Sequence, residues 1–212
     1  MPKRAQFFSE LGGEGQYGVL LVSQIGGAPG EIQFLVETAE YDASVEGLRP
    51  KNGYIIRALG VRESRASVGV FAHAALAADH PLLYHHNHPR LTVSFTGTPA
   101  SVSDLALDLS QAYVSTFLEW RHLVEMPEDF NRTMPLIDLL ASGGGVLGTM
   151  PRPLANRVTR LLERHGLTVT TEGGPEPEKQ DDHGRSTQYQ VLMLDHSYVI
   201  ALDFSFDAMR RS

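Results

Sequence analysis

The residues with the clearest chemical potential lie in the stretch LLYHHNHPRL, residues 82–91. His85, His86 and His88 fall within four positions, and Pro89 follows at once. If this stretch is a strand, side chains two residues apart share a face, so His86 and His88 point together while His85 points away. Two imidazoles on one face supply half of a zinc site, which takes histidine nitrogen and carboxylate oxygen. The spacing therefore predicts a metal site that needs a third ligand from another element.

Asp104 is the candidate for that ligand. It lies in SVSD, residues 101–104, which opens a long stretch with helical spacing of apolar residues. A carboxylate in a helix's first turn can face the end of a neighbouring strand. Ser101-x-x-Asp104 is also the pattern of a helix N-terminal cap, which alone is the favoured interpretation. The combination of HNHP at a strand end, a loop, and S-x-x-D at a helix start favours the metal site.

The pattern HNHP followed by S-x-x-D resembles the JAMM/MPN (JAB) zinc metalloprotease family, and most nearly its bacterial RadC-type branch. The segment VRESRASVGVFAHAALAADHPLLYHHNHP, residues 61–89, is similar to the helix and strand that lead into the motif in that branch. The resemblance extends over about residues 14–118. It implies a JAMM/cytidine-deaminase-like core.

The resemblance also implies a role for individual residues. His86, His88 and Asp104 would ligate one zinc ion, and Ser101 would help to hold the oxyanion. The metal would lower the pKa of a bound water toward neutrality. Glu14 would take the proton of that water and later give it to the leaving amine.

This sequence departs from the family pattern at two points. The family's glutamate matches Gly15 here, so Glu14 is displaced by one residue, and a bulge would be needed to restore it. The segment PRLTVSFTGTPA between His88 and Ser101 is longer than the family's spacing. It either returns Ser101 to the metal as a long loop or forms an extra strand pair.

Three functions follow as hypotheses. The first is a zinc-dependent hydrolase of amide or isopeptide bonds that acts on a peptide or a ubiquitin-like protein tail. The second is a catalytically inactive JAMM-like binding module, motivated by the displaced Glu14. The third is a metal-dependent phosphoesterase or nuclease, which would need a second metal and further carboxylates.

The composition of the chain restricts these functions. It has 212 residues, a formal net charge of -7 and no cysteine. The charge makes nucleic acid an unlikely partner, and the lack of cysteine leaves His, Asp and Glu as metal ligands. No apolar run has the length of a membrane span, and we expect a cytoplasmic protein.

The first half of the chain reads as strands and helices that position these residues. Alternation of apolar residues predicts a hairpin over 16–24 and 31–41 and a third strand over 52–61. The Ala-rich stretch 65–80 predicts a helix that ends before Pro81, and 82–88 predicts a short strand. His85 is expected to be a hydrogen-bonded structural residue.

The second half is predicted to contain more helices and a final hairpin. Helices are expected over 101–124, 135–148 and 153–166, the last with Gly166 as its C-terminal cap. Strands are expected at LTVTT and at YQVLMLDHSYVIALDFSF, with a polar loop over 172–188 between them. The fold class is therefore α/β (α+β), with a mixed β-sheet flanked by helices. The expected divisions are a JAMM-like core over 1–124 and a C-terminal extension of helices and a β-hairpin over 125–212, packed on the same domain.

Overall fold

The computed structural model describes residues 3–177 and 187–209, and the chain divides into two compact units. Unit 1 contains the described residues 3–79 and 187–209, and unit 2 contains residues 80–177. The fold is α+β, as predicted from the sequence. The strands, in chain order, are β1 Gln16–Ile25, β2 Ile32–Asp42, β3 Gly47–Leu59, β4 Glu63–Arg65, β5 Gly69–Phe71, β6 Ala74–Ala77, β7 Arg90–Thr96, β8 Gly144–Pro151, β9 Thr168–Gly173, β10 Gln190–Leu194, β11 Ser197–Ala201 and β12 Asp203–Ala208.

The helices are shorter and more scattered than the strands. The α-helices are α1 Lys3–Leu11, α2 Tyr84–Asn87, α3 Val102–Phe117, α4 Leu136–Ala141 and α5 Arg152–Arg164. Three 3-10 helices cover Pro81–Leu83, Leu118–Trp120 and Leu123–Glu128. Among the described residues, no helix has the length and apolar character that crossing a membrane requires.

Unit 1 is built from two antiparallel sheets and α1. One sheet has the order β12-β3-β2-β1-β5 and the other β4-β11-β10-β6. The predicted hairpin and third strand are confirmed as β1, β2 and β3, and the final hairpin as β10 and β11. Phe7 of α1 packs edge-on against Tyr54 of β3, with ring centroids 5.2 Å apart, in the apolar core of this unit.

The predicted helix over 65–80 is wrong, since this stretch forms β5 and β6 and the end of β4. β6 pairs with β10 along its whole length, and β5 pairs with β1. Gly18 allows the second pairing, because a Cβ at this position would lie 2.0 Å from the ring of Phe71. These long-range pairings outweigh the helix propensity of the alanines.

Unit 2 has one three-stranded antiparallel sheet, in the order β8-β7-β9, and its own apolar core. α5 packs against all three strands, and α3 packs against α5 and α4. The predicted helix at 153–166 is confirmed as α5, and Gly166 follows it with a left-handed φ of 79°. The helix predicted over 101–124 is confirmed only as far as Phe117, where α3 ends because Leu118 has a φ of 55°. The division at 79/80 differs from the expected one at 124/125, because residues on both sides of 124 share one core.

Two further predictions in unit 2 are wrong. The predicted strand over 82–88 instead forms helical turns up to Asn87, because Pro81 begins the first turn and His80 Nδ1 accepts a hydrogen bond from the Leu82 amide at 3.3 Å. The predicted helix over 135–148 ends at Ala141, and β8 follows it.

The segment between His88 and Ser101 forms an extra strand, β7, which pairs with β8 on one side and β9 on the other. All pairings among the described strands are antiparallel, so the predicted mixed sheet is wrong for this part of the chain.

Candidate functional site

The structure places the predicted zinc ligands His86 and His88 in a helical turn and its end. His86 belongs to α2, and His88 is the extended residue that follows it. Residues two apart in a helix are rotated by about 200° around the axis, so they do not share a face as they would on a strand. The two imidazoles are therefore not paired on one face of a strand, contrary to the prediction from the sequence.

Ser101 and Asp104 lie at the far end of β7 and α3 from the histidines. His88 precedes β7, and Ser101 follows it; seven extended residues span about 20 Å. His85 stacks on Phe117 at the C-terminal end of α3, with ring centroids 5.2 Å apart. Asp104 is thirteen residues earlier in this helix, again about 20 Å away along the axis.

Ser101 has the capping role that competed with its catalytic role. Its hydroxyl accepts a hydrogen bond from the Asp104 amide at 3.2 Å, and Asp104 is exposed in the first turn of α3. A carboxylate at this position interacts favourably with the helix dipole. Both residues are therefore explained by the start of the helix.

Glu14, the predicted general base, is exposed in the turn before β1 and belongs to unit 1, whereas the other predicted site residues belong to unit 2. Among residues 3–177 and 187–209, no group of three or more His, Asp or Glu side chains has a geometry that could hold a metal ion. The stretch DDHG, residues 181–184, has residue types that could bind a metal ion, although solvated charge is the favoured interpretation of its sequence; it lies outside the described residues. His86, His88 and Asp104 do not fit a shared zinc ion in this structure, so the zinc site and the roles of Glu14 and Ser101 stay predictions.

His85 instead forms the polar centre of this region. Its Nε2 lies 2.9 Å from both carboxylate oxygens of Asp129, and Arg90 Nη2 donates to Asp129 Oδ1 at 3.2 Å. The Asp129 side chain is fully buried, and that of His85 is 9% exposed. The prediction of a hydrogen-bonded structural histidine is confirmed, and its partner is the carboxylate of Asp129, which has no distinguishing pattern in the sequence.

The surroundings of Asp129 explain how a carboxylate is held inside the unit. Gly148 of β8 forms a bridge with Phe130, and a Cβ at this glycine would lie 2.1 Å from the carbonyl oxygen of Asp129. This close approach fixes the segment that carries the carboxylate. Burial, and then the charge of Asp129, raise the pKa of Tyr113 to about 12.

The side of this segment that faces solvent forms an apolar groove with a volume of about 570 Å³. It is formed by the 3-10 helix Leu123–Glu128, the connection to α4, and the first residue of α4. We call it the 123–136 groove; its lining residues are Leu123, Met126, Pro127, Phe130, Asn131, Arg132, Thr133, Met134, Pro135 and Leu136. Its volume lies in the range of 300–1,000 Å³ that ligand pockets occupy.

The apolar side chains of the groove are divided between a buried floor and exposed walls. Met126 and Phe130 are 9% and 7% exposed and belong to the core of unit 2. Leu123 and Met134 are 50% and 41% exposed, and the neighbouring Val124 is 83% exposed. Contiguous exposed apolar side chains of this kind are typical of interaction surfaces.

Two polar residues hold the wall of the groove in place. Asn131 donates to the carbonyl of Val146 at 2.9 Å and accepts from the Thr133 amide at 2.8 Å. Arg132 donates through Nε to the carbonyl of Pro127, and among the described residues no carboxylate lies within ion-pair distance of its guanidinium. The groove therefore combines an apolar surface with one uncompensated cation.

Comparison of the chain with protein-family models, with characterised proteins and with solved structures finds no match.

The groove cannot be recognised from the sequence, because its apolar residues form neither an uninterrupted helical pattern nor the alternation of a strand. Leu123, Met126, Phe130 and Met134 are spaced by three, four and four, which resembles a helix, but Pro127 and Pro135 interrupt that pattern. A large apolar residue beside a proline in an irregular segment was the available signal. Asp129 has no such signal, because an acidic residue next to Glu128 in the sequence is typical of a solvent-exposed position.

Proposed function

We propose that this protein is a binding module and that its 123–136 groove takes an extended, apolar and acidic segment of a partner polypeptide. The observation that carries this proposal is the groove of about 570 Å³, whose walls expose Leu123 and Met134 beside Arg132. It follows the second hypothesis from the sequence, a module that binds without catalysis.

The lining residues support a polypeptide with large apolar side chains as the occupant. Leu123 and Met134 expose about half of their surface, and covering such area contributes about 25 cal/mol for each Å² removed from water. Methionine adapts its shape to different partners, which suits a groove that accepts a side chain from another protein. Val124 and Ile137, which follow the lining residues Leu123 and Leu136 in the chain, are also exposed. This apolar surface is large enough to contact more than one residue of a partner polypeptide.

Arg132 supports an acidic group in that segment. Its Nε is occupied by the Pro127 carbonyl, which leaves the terminal N–H groups of the guanidinium to reach a carboxylate. The planar guanidinium matches a carboxylate with two parallel hydrogen bonds. A partner with a glutamate, an aspartate or a C-terminal carboxylate beside its apolar residues complements this site.

A phage-displayed library of random peptides tests the proposal with the full chain as bait. We expect the selected peptides to contain at least two large apolar residues and one acid. Binding of a selected synthetic peptide should weaken by at least about tenfold in Met134→Lys, a loss of about 1.4 kcal/mol. Ile25→Lys is the matched control, because Ile25 is an exposed apolar residue of unit 1, at 87% exposure.

Charge reversal distinguishes a specific groove from general apolar adhesion. With Arg132→Glu as bait, the selected peptides should carry lysine or arginine where those of the wild type carry an acid. Selection of the same acidic peptides by both baits, or equal weakening by Ile25→Lys and Met134→Lys, would overturn the proposal.

A further inference from the structure

The outward face of α5 carries a row of three arginines, Arg157, Arg160 and Arg164. They are exposed, and together with Glu163 they line a recess with a volume of about 720 Å³. The spacing of three and four residues places the arginines on one side of the helix. The opposite side of α5, with Leu154, Val158 and Leu161, is buried in the core of unit 2, so the row cannot turn inward.

Three other arginines of unit 2 have carboxylate partners. Arg90 pairs with Asp129, Arg121 with Glu125 and Glu128, and Arg152 with Glu176. In the part of the chain that the structure describes, no carboxylate lies within 4.0 Å of the guanidinium nitrogens of the three arginines in the row.

Such a row is unfavourable for the helix by itself. Like charges three or four residues apart destabilise a helix by about 0.2–0.5 kcal/mol for each pair. The protein as a whole has a formal net charge of -7, so the row is not a consequence of general basicity. Three arginines and one glutamate leave a formal charge of +2 in the recess, which an anion would neutralise.

Two of the arginines are held in place by hydrogen bonds from one edge of the guanidinium. Arg157 Nη1 donates to the hydroxyl of Ser115 on α3, and Arg160 Nε donates to the carbonyl of Asn156 at 3.1 Å. Each keeps further N–H groups that point away from these partners. Guanidinium groups whose position is already fixed lose less side-chain entropy when they bind an anion.

We propose that this row binds an oligophosphate, a linear chain of three or more phosphate groups. Arg157 and Arg164 are seven residues apart, which separates their Cα atoms by about 10 Å along the helix. A single phosphate reaches one or two guanidiniums at this spacing, whereas a chain of phosphates reaches all three. Arginine forks match phosphate oxygens with paired hydrogen bonds. The chain of phosphates belongs either to a free oligophosphate or to a nucleoside triphosphate.

Calorimetric titration of the full protein with sodium tripolyphosphate tests this inference. We expect saturable binding that weakens by at least about tenfold in Arg160→Gln and strengthens in Glu163→Gln, because the second change removes a repulsive charge. Arg152→Gln is the matched control, since this arginine is on the same helix but is paired with Glu176 outside the recess. Its affinity should stay within about twofold of the wild type. Circular dichroism verifies that each variant remains folded.

Further titrations distinguish the source of the phosphates and can overturn the inference. Equal affinity for ATP and tripolyphosphate indicates that the phosphate chain suffices, and tighter binding of ATP indicates that the nucleoside also contacts the recess. Orthophosphate should bind at least about tenfold more weakly than either. The inference is refuted by no saturable binding of tripolyphosphate, by orthophosphate binding equally well, or by Arg152→Gln losing as much affinity as Arg160→Gln. Binding of a single-stranded oligonucleotide without binding of tripolyphosphate would also refute it.

Discussion

Replacing Asp129 with asparagine tests whether the polar centre of unit 2 holds the unit together. The change keeps the size of the side chain and removes its charge. The carboxylate accepts hydrogen bonds from His85 Nε2, 2.9 Å from both oxygens, and from Arg90 Nη2 at 3.2 Å. An amide has one acceptor oxygen, so it can satisfy one of these two donors and presents N–H groups to the other.

The expected cost follows from the burial of the three groups. The Asp129 side chain has no exposed surface and that of His85 is 9% exposed, whereas Arg90 is 40% exposed. Arg90 also donates to the Glu128 carbonyl at 3.2 Å, so it keeps a partner in the variant. A buried donor left without its acceptor costs about 1–3 kcal/mol, and more where the lost partner is a charged group, so we expect a loss of about 2–4 kcal/mol.

Urea denaturation followed by tryptophan fluorescence measures this cost, because Trp120 is the single tryptophan of the chain and lies in unit 2. We expect the midpoint of Asp129→Asn to fall by about 1–2 M. Glu172→Gln is the matched control, since Glu172 is exposed on β9 and its replacement should change the stability by less than about 0.5 kcal/mol. Unfolding of both variants at the same urea concentration would show that the polar centre does not stabilise unit 2.

Two further predictions concern Glu10 and the expected zinc site. Burial opposes ionisation of Glu10, but hydrogen bonds from partners that include Thr38 and Asn52 outweigh it and lower its pKa from the ordinary 4.5. Its contribution is therefore present above about pH 4.5 and is lost as the pH falls through the lowered value. Glu10→Gln should lose about 1 kcal/mol of stability at pH 7 and progressively less as the pH is lowered below about 4.5 in urea titrations; a loss that does not change with pH would contradict this. His88 precedes β7, and Asp104 lies beyond the other end of this strand, at the start of α3, so the two side chains are too far apart to share a metal ion. Asp104→Ala should therefore leave the metal content of the purified protein, measured by elemental analysis, unchanged. About one zinc ion per chain, lost in both His88→Ala and Asp104→Ala, would contradict the separation.

The sequence predicts those elements of the fold whose local pattern and long-range pairing agree. β1 and β2 alternate apolar residues and also pair with each other, and α5 has an apolar face that the core of unit 2 buries. The helix prediction for residues 65–80 is wrong because the alanines favour a helix locally, whereas β6 pairs with β10, which lies more than a hundred residues later in the chain. A local pattern cannot report a partner at that distance in sequence.

The candidate site shows the same limit in its side chains. The spacing of His86 and His88 has a chemical meaning only on a strand, and the cap provided by His80 and Pro81 converts that strand to helical turns. One misassigned element thus removed the geometric basis of the ligand pair. The environment of His85 was predicted correctly in kind, because a histidine at the end of an apolar run needs a hydrogen-bond partner wherever it is buried.

The two proposed binding surfaces depend on one core, which determines how their tests are read. Met126 and Phe130 form the floor of the 123–136 groove, and Val158 forms part of the inner face of α5 beneath the arginine row; all three belong to the same apolar cluster. A variant that loosens this cluster should weaken both peptide binding and tripolyphosphate binding. Changes of exposed side chains such as Met134→Lys and Arg160→Gln should weaken one and spare the other. Loss of both ligands in either surface variant would therefore indicate damage to the fold of unit 2 and not recognition by the replaced residue.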